Sequence, residues 1–175
     1  DYGFANYEVK PGQRDTEWHL KELATTLAND FKGERVFLWA DCCFSGGLEI
    51  VVDALAKKKI AAANLTSAGT ANTSTGNWTF TQSILDGLRG EPLLDVNGDG
   101  RITLGEMNAE VRDAMMHMEG QKHGYKSFGI GDDFVMAKAH RPTTFRVGSY
   151  VRANGRYGRI VAIQGETYTV QFYVY

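Results

Sequence analysis

The spacing of apolar positions changes several times along this chain, and each change marks a predicted element. Trp18, Leu20, Leu23, Ala24 and Leu27 recur at roughly helical spacing behind Asp15 or Thr16, either of which can cap a helix, and the pattern stops before Lys32-Gly33. The next run, 36–43, is short, apolar and bounded, as expected of an interior strand covered on both faces. A helix over about 47–58 follows, then a second apolar strand over about 60–67, a polar loop of Gly, Asn and Thr, and a helix over about 79–88. This alternation predicts an α/β fold with a parallel sheet.

Farther on, a helix is expected over about 103–118 and an apolar strand over 133–137, joined by a glycine-rich connection. Residues 140–144 read as a linker. Beyond it the period falls to two, with short strands at 149–153, 158–163 and 167–175 and turns at Asn154-Gly155 and Gln164-Gly165-Glu166. Phe145-x-Val147-Gly148-x-x-Val151 and Tyr168-x-Val170-x-Phe172 resemble the start of a Tudor or SH3-like small barrel. About three strands are present where such barrels use around five, so a partial barrel is expected.

The candidate chemistry begins where the first apolar strand runs into Asp41-Cys42-Cys43-Phe44-Ser45-Gly46-Gly47. A thiol at such a break is held by rigid scaffold yet open to solvent. The segment resembles the nucleophile motif of caspase-like cysteine peptidases, above all metacaspases and their bacterial relatives, in which Asp-x-Cys-His-Ser-Gly follows an apolar strand. The resemblance makes Cys43 the nucleophile and Asp41 the acidic residue of the primary specificity pocket, and it implies a caspase-hemoglobinase-like sheet flanked by helices. Phe44 stands where the family has a second histidine. Strand alternation through 41–43 would place Asp41 and Cys43 on one face and Cys42 on the other, as core filling.

The segment 67–81 extends the resemblance, with a Ser-Ala strand end, a polar loop, and Gly-x-x-x-Phe-Thr opening a helix. In the family this loop lines the substrate cleft, which assigns Ser67, Ala68, Gly69 and Thr70 to substrate binding. Its composition suits pairing with an extended peptide. A carboxylate from Asp41 at the floor of a cleft is costly unpaired, and a substrate Lys or Arg would neutralise it. The expected partner is therefore a peptide or protein with a basic residue before the scissile bond.

A cysteine peptidase also needs a base, normally histidine. The family carries it roughly fifty residues before the nucleophile, a position before Asp1. The opening 1–6 resembles the stretch just after that histidine, so the chain is expected to be the C-terminal portion of a longer protein whose N-terminal portion carries the base. None of His19, His117, His123 and His140 matches the family position.

A second motif is Asp95-Val96-Asn97-Gly98-Asp99-Gly100-Arg101-Ile102-Thr103-Leu104-Gly105-Glu106. It has the pattern of an EF-hand calcium loop: oxygen ligands at positions one, three and five, glycine at six, an aliphatic at eight and glutamate at twelve. Asp95, Asn97, Asp99 and Glu106 would supply side-chain oxygens, Arg101 its carbonyl, and Thr103 a direct or water-bridged contact. Hard oxygens select Ca2+. Gly87, Gly90 and Pro92 interrupt the incoming helix, so the motif is half an EF-hand. An Asx-turn loop that holds itself without metal is the alternative.

Composition narrows the class further. The chain has 175 residues, 43% of them hydrophobic, with a net charge of -2. The isoelectric point near 6.1 gives no electrostatic case for nucleic acid or a membrane surface. Lys57-Lys58-Lys59 reads as a solvated helix end. Two cysteines and no transmembrane-length run make a reducing cytoplasm the expected compartment. The organisation expected is thus a peptidase-like domain over 1–139 that lacks its N-terminal strands, the linker, and a β segment over 145–175. The competing reading is a catalytically inactive caspase-like scaffold with a calcium-stabilised loop. A redox role for Cys42 and Cys43 ranks below both, because no Cys-x-x-Cys spacing exists.

Overall fold

The computed structural model describes residues 2–5, 9–10, 12–13, 16–140, 145–153, 156–165 and 167–172. Within them the chain is mixed α/β, with four helices and several small sheets. The central sheet has the order β3-β4-β6, formed by β3 (Arg35–Ala40), β4 (Ala61–Thr66) and β6 (Gly124–Phe128). β3 and β4 are parallel, in register from Arg35 opposite Ala61 to Ala40 opposite Thr66, and α2 (Glu49–Lys57) makes the crossover between them.

The expectation of a parallel sheet therefore holds for this pair only, because β6 lies antiparallel to β4. β6 falls in the glycine-rich connection expected before 133, where the sequence pattern marks no strand. It is an edge strand carrying Lys126 and Ser127, so its apolar signal is weak.

Alternation along β3 and β4 builds two cores. Val36, Leu38, Ala40 and Ala62 face a cluster with Leu20, Leu48, Val51, Val52 and Leu55, supplied by α1 (Leu20–Asp30) and by the turn and helix after the cysteines. Trp39 and Leu65 face the opposite cluster, where α3 (Thr79–Arg89) and α4 (Leu104–Glu119) contribute Phe80, Ile84, Met107, Val111 and Met115. Strands clothed on both faces explain the near-continuous apolar run that marked them in the sequence. On the first face Asn64 is fully buried, and neither amide atom has a hydrogen-bond partner among the described residues.

The first helix starts later than its periodicity suggested. Trp18–His19 forms β2, paired antiparallel with β1 (Gly3–Phe4), and α1 begins at Leu20. Trp18 thus leaves the helical face and packs against Phe4, with ring centroids 6.2 Å apart. The Thr16 hydroxyl closes the local turn, accepting from Lys10 N and donating to Gln13 O, instead of capping the helix; Asp15 lies outside the described residues.

The three lysines close α2 as expected: Lys57 is its last residue, Lys58 its C-cap, and all are exposed. β5 (Arg101–Thr103) pairs with β7 (Val135–Lys138) in a separate two-stranded sheet. The start of the expected linker is tied to this body, with Ala139 N donating to Gly100 O and His140 N to Gly90 O; residues 141–144 lie outside the described set.

The C-terminal strands β8 (Tyr150–Ala153), β9 (Arg156–Gln164) and β10 (Thr167–Phe172) form a three-stranded antiparallel meander, and among the described residues they close no barrel. The expected Asn154-Gly155 turn lies outside the described residues.

Candidate functional site

Ladder pairing between β3 and β4 ends at Ala40 opposite Thr66, with Ser67 N adding one further bond to Ala40 O. Beyond Ala40 the chain turns. Phe44 sits in the left-handed region at φ 57, a conformation that costs a non-glycine residue about 1–2 kcal/mol and so persists only where its surroundings impose it. Those surroundings are bonds from Phe44 N to Asn72 O, Ser45 N to Cys42 O and Gly47 N to Phe44 O.

This turn overturns the alternation argument for Asp41, Cys42 and Cys43. The residues lie past the strand, where no pleat assigns faces. Cys42 is half-buried, not core filling, and it lines one cleft together with Cys43. Burial pushes its thiol up, and the neighbouring Cys43 and Asp41 push it further in the same direction. Cys43 is exposed. The cleft, of about 570 Å³, is walled by the β1–β2 pair and its flanks through Tyr2, Phe4 and Glu17, and by Leu20 at the start of α1.

Asp41 is not among the residues lining that cleft. Its carboxylate accepts from the Thr81 hydroxyl at 2.7 Å, which ties the end of β3 to the first turn of α3. The donor fixes the carboxylate without neutralising its charge.

The polar loop folds directly onto the cysteine turn. Ser45 Oγ accepts from Ala68 N at 3.2 Å and donates to Ala68 O at 3.3 Å, while Gly46 is so close to Gly69 that a Cβ there would stand 2.6 Å from the Gly69 carbonyl carbon. Ser67 and Ala68 are fully buried, Gly69 is half-buried and Thr70 is exposed. Asn72 Oδ1 accepts from Gly69 N, and Thr70 O accepts from Tyr2 OH. The structure brings this tetrapeptide against the cysteine turn, with the amides of Ser67, Ala68 and Gly69 already engaged.

The residue that meets the sulfur is Ser74, whose backbone N–H donates to Cys43 Sγ at 3.3 Å. Ser74 belongs to the polar loop, and nothing local in the sequence marks which loop amide will reach a sulfur 31 positions away. Around it, Thr75 Oγ1, Asn77 Nδ2 and Thr79 Oγ1 donate to the Glu119 carboxylate at the end of α4. Burial pushes the Glu119 carboxyl up, but the three donors Thr79, Asn77 and Thr75 together outweigh it and hold the group below the ordinary glutamate range.

Among the described residues no histidine lines the cleft. His123 donates from Nε2 to Asn108 Oδ1 at 2.9 Å, and burial, then the charges of Arg112 and Lys122, hold its ring below the usual histidine value despite an opposing pull from Asp113.

The loop 95–106 is shaped by its own oxygens. Asp95 accepts from Asp99 N and Gly100 N, Asn97 Oδ1 from Asp99 N, and Asp99 Oδ1 from Arg101 N. Gly100, at position six, takes φ +83 and turns the chain into β5. Glu106 reaches back across the loop, accepting from Val96 N through one oxygen and from Thr103 N through the other, and with the Thr103 hydroxyl it forms a capping box on α4. Position eight, Ile102, is fully buried against Leu65, Phe80 and Met107, and β7 pairs with β5 where a second loop would pair in a full EF-hand.

Among the described residues no three His, Cys, Asp or Glu side chains stand together as a metal-holding group; the donor set read from the sequence also draws on the Asn97 amide and the Arg101 carbonyl. That set fits a hard cation, because it is all oxygen and is carried on a loop already turned at its sixth position. Asp95 and Glu106 also line a cavity of about 290 Å³ that Asp86, Glu91, Glu110 and Asp113 share, and this concentration of carboxylates favours a cation over an anion.

No known family, curated protein or solved structure matches this chain. Among the described residues no helix is long and apolar enough to cross a membrane.

Proposed function

We propose that this chain carries the nucleophile of a caspase-like cysteine endopeptidase that cleaves after Arg or Lys, and that loop 95–106 holds a calcium ion. The observation that carries the reading is the exposed Cys43 thiol, delivered by a strained turn into a cleft and met there by a backbone amide. In the reaction Cys43 Sγ attacks the scissile carbonyl, the peptide nitrogen leaves with a proton, and water then releases the acyl group from the thioester. The base that takes and returns the proton is a histidine supplied from outside this chain. Asp41, tied to Thr81 beside the cysteine turn and not among the residues lining that cleft, is the residue proposed to receive the substrate's cation.

Calcium, when bound, would supply positive charge that draws the loop's carboxylates together. Asp95, Asn97, Asp99, Arg101, Thr103 and Glu106 would hold it, and in doing so they would fix the N-terminus of α4.

In the intact protein, Cys43→Ala should abolish hydrolysis of Arg and Lys peptides, while Cys42→Ala should leave most of it. Full turnover by Cys43→Ala would sink the reading. The second reading is a non-catalytic peptide-binding scaffold, in which no histidine completes the cleft. That reading expects intact protein with Cys43 present to bind basic peptides without cutting them.

A further inference from the structure

We propose that Glu119 and Gln121 are positioning residues for the Cys43 thiol, clamping the 73–79 segment so that the Ser74 amide is held on the sulfur. The segment lies between the tetrapeptide 67–70 and α3 and has no helix or ladder of its own up to Thr79. Its hold comes instead from the end of α4. Gln121, nearly buried, donates from Nε2 to Thr73 O and accepts at Oε1 from Thr75 N at 3.1 Å and from Thr75 Oγ1 at 3.0 Å. It therefore grips the backbone on both sides of Ser74.

Glu119 grips the same strand of loop over a longer span, accepting from Thr75 Oγ1 at 2.7 Å, from Asn77 Nδ2 at 2.9 Å and from Thr79 Oγ1. These are charge-assisted bonds, roughly twice as strong as neutral ones. The two clamp residues flank Gly120, which ends α4 and reverses the chain so that both reach the loop. What they position is a single N–H. An N–H donated to sulfur favours the thiolate over the thiol and fixes the direction in which the sulfur points.

The biological meaning of this clamp rests on the peptidase reading, but its test follows the thiol and not hydrolysis, so the two can fail separately. In a Cys42→Ala background, where Cys43 alone reports, iodoacetamide alkylation is followed across pH on the full chain. Tyr2 and Glu17 in the cleft, and Asp41 before it, stay unchanged throughout.

Loss of the clamp by Gln121→Ala, which changes no charge, should move the alkylation midpoint to higher pH, so that the rate below the midpoint falls about three- to tenfold. The high-pH plateau should stay within about twofold, because access to the sulfur is not what changes.

If the alanine variant folds poorly, Thr75→Val removes the hydroxyl shared by both clamp residues while keeping the Thr75 amide. It should shift the midpoint in the same direction by less. An unmoved midpoint in folded Gln121→Ala or in Thr75→Val overturns the proposal. So does a change confined to the plateau, which would mean that the residues govern access alone.

Discussion

Thr81 and Asp41, forty positions apart, meet through a 2.7 Å hydrogen bond from the threonine hydroxyl to the aspartate carboxylate. The bond lets α3 set the direction of an acidic group that follows β3 directly. If that group receives the substrate's cation, Asp41→Ala should lower turnover of Arg and Lys peptides by the intact protein without creating a preference for acidic residues. Asp41→Asn separates charge from hydrogen bonding, since it keeps an acceptor for Thr81 and should lose turnover nearly as far. Peptide kinetics of the two variants decide it, and an unchanged rate in both places the specificity pocket elsewhere.

Contact between the cysteine turn and the polar loop is limited by backbone, not by side chains. A Cβ on Gly46 would stand 2.6 Å from Gly69 C and 2.7 Å from Thr70 N, neither of which can rotate away. Gly46→Ala should therefore destabilise the chain by about 1–3 kcal/mol, the usual cost of overpacking. Urea denaturation measures it.

Loop 95–106 should couple stability to free calcium. A ligand bound by the folded state alone adds about 2.7 kcal/mol at a hundredfold excess over its Kd. Thermal melts should rise with calcium, and Glu106→Ala should remove most of that rise. The same substitution deletes half of the capping box on α4, so its melting point without calcium should also fall, by about 1 kcal/mol of stability. Melts with and without chelator distinguish the two losses, and a curve indifferent to calcium removes the metal from the account.

Acid should loosen the loop clamp before it affects neutral parts of the fold. Glu119 is held below its ordinary value in the folded state, so its contribution is fully present above the unfolded carboxylate value of about 4.3. It is lost as pH falls through the lower folded value. Exchange of the Ser74 amide should therefore accelerate, beyond its intrinsic pH dependence, as pH falls below the unfolded carboxylate value and through the lower folded one. In Glu119→Gln that additional step should vanish.

Asn64 lies fully buried in β4 with both amide atoms unpartnered among the described residues. An unsatisfied buried amide costs about 1–3 kcal/mol. Asn64→Leu, which keeps the heavy-atom count and branching but takes more room, should raise the unfolding free energy by about 1–2 kcal/mol in a chemical melt, less whatever overpacking the larger side chain introduces.

Local chemistry explains what could be read from the chain directly. β3, α2, β4 and α3 were legible because each buries a face, and burial writes its period into consecutive residues. The loop 95–106 was legible for a related reason: its oxygens, its turning glycine and its capping glutamate all lie within twelve positions. So was Cys43, which stands next to the apolar run that delivers it. Sequence pattern alone could not tell where that run stops being a strand. The end of β3 is decided by its last partner on β4, Thr66, and with it the placement of Cys42 beside Cys43 instead of in the core.

β6 escaped notice because an edge strand needs little apolar content, and β2 because the Trp18 periodicity is equally good as the start of a helix. The partners of the sulfur and of Asp41 were hidden more deeply. Ser74, Thr81, Glu119 and Gln121 are polar residues in unremarkable settings, and a hydrogen bond over 31 to 48 positions leaves no periodic trace in a sequence. Only the packing of α3 and α4 against the far face of the sheet brings them to the cysteine turn.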